Sequence, residues 1–181
     1  MKVSPKETLR KLFGDFYMYL MVLINSSSNE SFINRLRENQ DEISKYIKMK
    51  LKVKLNILFS KYLDTLILII KNLNGFKEKE EEYKEKLLSI SKEISQLMSS
   101  KKLEYIYKCS IKCLFKSLNS KIDGNHKKEI EYYDNFINSQ IKISDTIYKL
   151  ILNNRHNSNN NHKKKKGGGC KLFGDIKCRC K

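Results

Sequence analysis

The chain has 181 residues, which is enough to bury one substantial core. Its five cysteines, an odd number without framework spacing, argue against a disulfide-stapled secreted domain. No stretch approaches the roughly 20 apolar residues of a transmembrane helix. A formal net charge of +17 favours polyanionic partners, either nucleic acid or an anionic membrane surface, through non-specific electrostatics.

A run of nine apolar residues, 16–24, follows a basic N-terminus, as the hydrophobic part of a signal peptide does. However, Glu7 and Asp15 lie where a signal peptide carries positive charge, and no small-residue cleavage site follows the run. We therefore expect an intracellular protein whose cysteines stay reduced.

Six helical segments follow one another along the chain. The first begins at a capping box, with Ser4 as N-cap, Pro5 at the first helical position and Glu7 closing the box. Apolar residues at three- and four-residue spacing predict helices that end near residues 25, 48, 73, 98, 122 and 153. Two of these ends are marked by Asn74-Gly75 and Asp123-Gly124.

This pattern contains no strand signal and predicts an all-α fold. We expect an antiparallel, up-and-down helical bundle of four long helices, with one or two shorter helices packed against them. The second helix is expected to be one of these packed extras. The predicted bundle covers residues 1–153. Residues 154–181 are predicted to form a disordered, low-complexity basic tail, because they carry too few apolar residues to order themselves.

The second helix carries the most informative local feature, an Asn-Gln pair within its apolar stripe. Between Leu36 and Ile43 the inward-facing positions fall on Asn39 and Gln40. A buried amide costs free energy unless it is hydrogen bonded, so we interpret the pair chiefly as a structural link that fixes helix register. The alternative is a polar pocket beside Asn39 and Gln40 that binds a small ligand or supports a reaction.

Taken together, several short patterns resemble a family of small bacterial all-helical proteins of unassigned function. That family's second helix reads RLLxNQxDIGxxI, which residues 35–47 follow, and its pattern GNW…I…YDxxH…IxxMAD resembles residues 124–145. The likeness spans residues 5–152. Some members carry names such as glycosyltransferase or acetylglutamate kinase, which we interpret as transferred names.

The resemblance also shows what this chain lacks. The family places a histidine inside several long helices, which implies a metal or polar site in the bundle core. The matching positions here carry Phe16, Tyr62, Ser110 (or its neighbour Cys109) and Ile137. The resemblance therefore implies that this chain keeps the helical scaffold and the Asn-Gln helix of the family but lacks the histidines of its core. We expect no cofactor.

The tail holds a weak candidate metal site. One histidine and three cysteines are the right number of ligands for structural zinc, but their spacing matches none of the usual zinc motifs. These four residues are His162, Cys170, Cys178 and Cys180.

Four consecutive lysines in the tail, Lys163, Lys164, Lys165 and Lys166, are candidate contacts to a polyanion. Because Cys170 follows them, a lipid-anchored peripheral membrane protein is an alternative, since polybasic segments often accompany an acylated cysteine. We prefer the simpler interpretation of a flexible basic tail.

Known catalytic motifs are absent from the sequence. It contains no Walker loop, dinucleotide-binding motif, HExxH motif, nucleophile elbow or pair of catalytic carboxylates. We therefore expect a non-enzymatic binding or structural module with a basic tail for polyanion attachment. A ligand-binding or enzymatic bundle with a pocket near Asn39 and Gln40 is the alternative.

Overall fold

A computed structural model describes residues 4–26 and 29–160 of the chain, with side chains described up to residue 154. Within these residues the protein is all-α, as predicted, with six α-helices and no strand. Two short 3-10 turns, Leu73–Gly75 and Lys77–Lys79, connect the third helix to the fourth. The helices are α1 (Pro5–Ser26), α2 (Glu30–Leu51), α3 (Asn56–Lys71), α4 (Glu80–Leu97), α5 (Lys101–Ile122) and α6 (His126–Asn160).

The helices form a closed ring around one hydrophobic core. Each helix packs on its neighbours in the chain, and α6 returns to pack on α1 and to touch α2. Ion pairs show the antiparallel arrangement: Arg37 of α2 pairs with Asp64 of α3, while Glu30 at the start of α2 pairs with Lys71 at the end of α3. The antiparallel bundle is therefore confirmed. None of the described helices is long and apolar enough to cross a membrane.

The second helix is a full member of the ring. We expected it as an extra helix packed on four long ones, yet α2 has 22 residues, as α1 and α5 do. The shorter helices are α3 and α4, with 16 and 18 residues. The reason is that Asn39 and Gln40 continue the buried stripe of α2, so its whole length faces the core.

Local capping follows the predicted signals at several helix ends. The backbone N–H of Ser4 donates to Glu7 Oε2 (2.9 Å), and that of Glu7 donates to Ser4 Oγ (3.2 Å), which confirms the capping box. Gly124 lies just past α5 with a φ of +69°, a left-handed conformation that favours glycine. The C-terminal stop at Asp123-Gly124 is thereby confirmed.

Three helix ends differ from the predictions. Helix α2 ends at Leu51, three residues later than predicted. Helix α3 ends at Lys71, before Asn74-Gly75, because the chain passes into the 3-10 turn Leu73–Gly75, whose tighter hydrogen bonds replace those of the α-helix. Helix α6 continues past Asn153 to Asn160. Extending an existing helix adds one hydrogen bond for each residue ordered, which is easier than starting a new one. Residues 161–181 of the predicted tail lie outside the described residues.

Candidate functional site

Asn39 and Gln40 are both buried on α2, with 6% and 4% of their surfaces exposed. Asn39 Nδ2 donates a hydrogen bond to the Leu12 carbonyl of α1, at 3.0 Å. This bond joins two neighbouring helices across the core. The structural interpretation of the pair therefore accounts for Asn39.

Gln40 instead lines a cavity of about 40 Å³ at the centre of the ring. Five of the six helices contribute to its wall, and each provides one side chain with an amide or a phenol group. Amide or phenol groups come from five different helices: Tyr17, Gln40, Tyr62, Tyr107 and Gln140. The rest of the wall is apolar, formed by Phe13, Phe16, Ile43 and Phe59.

Side-chain hydrogen bonds hold two parts of this wall in place. Gln140 Nε2 of α6 donates to Ser110 Oγ of α5, which fixes the amide of Gln140 at the cavity edge. The Tyr133 hydroxyl donates to the backbone carbonyl of Tyr17 at 3.0 Å, which ties α6 to α1 beside the cavity. Three of the five helices that form the wall, α1, α5 and α6, are therefore joined by buried polar contacts.

Four buried polar atoms remain without a hydrogen-bond partner in the part of the chain that the structure describes. They are Asn39 Oδ1, Gln40 Nε2, Ser44 Oγ and Tyr62 Oη. Leaving such an atom unsatisfied costs about 1–3 kcal/mol, so protein interiors contain few of them. Two of the four belong to side chains of the cavity wall, Gln40 and Tyr62.

The cavity is electrically neutral. Burial raises the pKa of Tyr17, Tyr62 and Tyr107 well above the usual value for a phenol, because the charged phenolate is disfavoured away from water. These groups therefore stay protonated at physiological pH and do not act as bases. Among the described wall residues there is no carboxylate, histidine, lysine or arginine.

Two of the four positions for which the predicted family resemblance implies a histidine in other members lie at this cavity. Phe16 and Tyr62 line it, and Ser110 reaches its edge through Gln140. Ile137 lies elsewhere, in a groove on the outside of α1 and α6. No cluster of three or more histidine, cysteine, aspartate or glutamate residues that could hold a metal occurs within residues 4–26 and 29–154.

The outer groove between α1 and α6 has a volume of about 570 Å³ and a largely apolar wall. Met18 and Ile141 are its most exposed apolar residues, at 54% and 40%. At one end Arg10 forms two hydrogen bonds to the carboxylate of Asp145, at 2.9 and 2.8 Å. The groove contains no constellation suited to catalysis in its described wall.

Helix α5 carries a concentration of positive charge that our sequence analysis missed. Counting Lys and Arg against Asp and Glu within the helix bounds gives +5 for α5, from six lysines and one glutamate. The same count gives −2 for α4, from three and five, and +1 for each of the other four helices. Its signal in the sequence is a second stripe, at three- and four-residue spacing, opposite the apolar one.

That stripe is exposed because the other sides of α5 pack on α4, α6 and the core. Lys101, Tyr105, Lys108 and Lys112 are exposed along it, and Lys116 is half-buried. We call these five residues the basic face of α5. Lys108 forms an ion pair with Glu104 (2.9 Å), and Lys116 lies over the ring of Tyr132, with its Nζ 5.2 Å from the ring centre.

The tail candidates cannot be placed beside either feature. The proposed zinc ligands His162, Cys170, Cys178 and Cys180 lie outside the described residues, as do the lysines Lys163, Lys164, Lys165 and Lys166. Zinc binding and polyanion contact by these residues therefore stay predictions.

Comparison with known proteins gives no relative from which a function could be transferred. The chain matches no protein-family model, no curated protein and no solved structure. The chemistry of the cavity and of the basic face is therefore the basis for any functional conclusion.

Proposed function

We propose that this protein is a non-enzymatic helical-bundle module that attaches to single-stranded nucleic acid through the basic face of α5. The observation that supports this proposal is the uneven distribution of charge, with +5 on α5 against −2 to +1 on the other helices. Such a local excess attracts the phosphate backbone and releases its counterions. The predicted tail lysines, Lys163 to Lys166, would add a second electrostatic contact.

The spacing of the charges suits a linear polyanion. Lys108, Lys112 and Lys116 follow one another at intervals of four residues, which corresponds to a rise of about 6 Å along the helix axis at each step. The three ammonium groups therefore lie in a row along the helix and are not clustered at one place. A row favours an extended chain of phosphates over a single small anion.

Nucleic acid fits this face better than a membrane surface. A helix that lies in a membrane presents large apolar residues on the side that enters the lipid. The apolar residues of α5 instead face the core, and the basic face carries Tyr105, with 43% of its surface exposed, between Lys101 and Lys108. An exposed aromatic ring flanked by cations is a platform on which an unpaired base stacks.

The proposal is tested by neutralising the basic face. We expect the triple substitution Lys101→Gln, Lys108→Gln, Lys112→Gln to weaken binding to single-stranded oligonucleotides, measured by fluorescence anisotropy over a range of salt concentrations. Each phosphate contact on a single strand contributes about 0.7 to the salt slope, so losing three should reduce the slope by about two. The matched control is Lys45→Gln, Lys48→Gln, Lys61→Gln, which removes the same charge from exposed sites on α2 and α3.

Two outcomes would contradict the proposal. Equal weakening by both triple variants would mean that the net charge of the molecule, and not α5, drives the binding. Binding to anionic vesicles that equals nucleic-acid binding and depends on the same three lysines would assign the face to membranes. Truncation after Asn160 measures the share of the tail, because it removes residues 161–181 and leaves α6 intact.

A further inference from the structure

The central cavity has the features of a built binding site that is independent of the basic face. Gln40 and Tyr62 project into it from α2 and α3, and both side chains are more than nine-tenths buried. Gln40 Nε2 and Tyr62 Oη have no hydrogen-bond partner among the described residues. Because buried polar groups are ordinarily paired, a molecule in the cavity would complete their hydrogen bonds.

The chemistry of the wall determines the class of that molecule. No charged side chain lines the cavity in the described part of the protein, so an ion would be buried without compensation, which is strongly unfavourable. Gln40 Nε2 donates hydrogen bonds and does not accept them, whereas a tyrosine hydroxyl does both. The ligand must therefore be uncharged and must carry a hydrogen-bond acceptor for Gln40, a role that an oxygen atom fills.

The volume limits its size. At about 40 Å³ the cavity has room for roughly three water molecules, by the usual requirement of about 10–15 Å³ for each. Pockets that bind larger organic ligands have volumes of about 300 Å³ or more. Only a molecule of a few heavy atoms fits while the bundle stays closed.

We propose that this cavity binds a small neutral molecule, water or a carbonyl compound of a few heavy atoms. Its oxygen accepts a hydrogen bond from Gln40 Nε2 and shares a second with Tyr62 Oη. The occupied cavity then resolves two of the four unsatisfied atoms of the core. The interruption of the α2 stripe at Gln40 is thereby a ligand site, while the interruption at Asn39 is a helix–helix link.

Oxygen-17 relaxation dispersion of water, which detects molecules held inside a protein, tests the proposal on the wild-type chain. We expect long-lived internal water in the wild type, and about one molecule fewer in Gln40→Leu and in Tyr62→Phe. The matched control is Tyr133→Phe, which removes another buried hydroxyl, one bonded to the Tyr17 carbonyl and outside the cavity wall. Circular dichroism verifies that each variant is folded.

The outcomes separate the two sources of the oxygen. If formamide displaces the internal water and shifts the side-chain amide resonances of Gln40, carbonyl compounds are ligands of the site. If formamide changes neither signal, water is the occupant. A wild-type protein without long-lived internal water would overturn the proposal without need of any variant. An equal loss of water in Tyr133→Phe and Tyr62→Phe would also overturn it.

Discussion

Adjacent amides on one helix perform different tasks in this protein. Asn39 reaches the backbone of α1, while Gln40, one residue later, turns about 100° around the helix axis and meets the centre of the ring. A hydrogen bond to a main-chain carbonyl is insensitive to the identity of the partner residue. Contacts inside a cavity depend on every side chain of the wall, so the two positions should respond differently to substitution.

Substitutions at Asn39 test its structural role. We expect Asn39→Ala to lower the free energy of unfolding by about 1–3 kcal/mol, because it removes a buried hydrogen bond and leaves a void. Asn39→Leu should cost less, because leucine fills the space that alanine leaves empty, while both variants lose the unpaired Oδ1 atom. Urea denaturation measures both. Equal losses in the two variants would show that the hydrogen bond to Leu12, and not packing, accounts for the whole effect.

The inward positions of the two amides could be predicted from the sequence, but the groups that they contact could not. Helical periodicity depends on residues three or four apart, so it located Asn39 and Gln40 on the buried stripe of α2. Their surroundings come from Leu12, Tyr62 and Gln140, which are remote in sequence and are brought close by the ring. Periodicity contains no information on such partners.

Two glycines at different places in the helices should respond oppositely to the same substitution. Gly14 lies inside α1 on an exposed side, whereas Gly124 follows α5 at a φ of +69°. A Cβ at either position would meet no atom within 4 Å, so packing does not decide the outcome. We expect Gly14→Ala to raise the free energy of unfolding by about 0.5–1 kcal/mol and Gly124→Ala to lower it by about 1 kcal/mol.

Thermal or urea unfolding of both alanine variants provides the measurement, and each variant is the control for the other. A shift of the same sign in both would contradict the argument from backbone conformation. A loss of stability in Gly124→Ala alone would assign the strain to the turn between α5 and α6, because Gly124 belongs to that turn.

At the level of elements, local signals predicted helix existence and most helix ends. The capping box at Ser4 and the glycine at position 124 lie within a few residues of the ends they define. The end of α3 was placed about two residues too late, because the chain enters the 3-10 turn Leu73–Gly75 instead of continuing the α-helix to the Asn74-Gly75 signal. The basic face of α5 was missed because the lysines that precede the tail were counted together and not helix by helix.

The whole ring is closed by contacts between its first and last helices. Arg10 of α1 and Asp145 of α6 form a bidentate ion pair across this closure, supported by the Tyr133 hydrogen bond to Tyr17. The hydrogen bonds from Arg10 hold the pKa of Asp145 below its usual value. The positive charges of Arg10, Lys6 and Lys149 act in the same direction, against an opposing effect of partial burial.

This lowered pKa makes ring closure sensitive to acid. A carboxyl group whose pKa is lower in the folded than in the unfolded state stabilises the fold fully at pH values above its unfolded-state pKa, about 3.9. That contribution is lost as the pH falls through the lower, folded value. We therefore expect Asp145→Asn to be less stable than the wild type at neutral pH, and the difference to decline below about pH 4 and vanish in stronger acid.

Urea unfolding of both proteins from pH 7 to pH 2 measures this difference, and the charge repulsion common to both chains cancels. The matched control is Asp134→Asn on the same helix, since Asp134 is exposed and forms no ion pair with any residue that the structure describes. Its difference from the wild type should show no comparable decline in acid. A stability loss in Asp145→Asn that persists unchanged at pH 2 would show that shape, and not charge, holds α1 to α6 at this point.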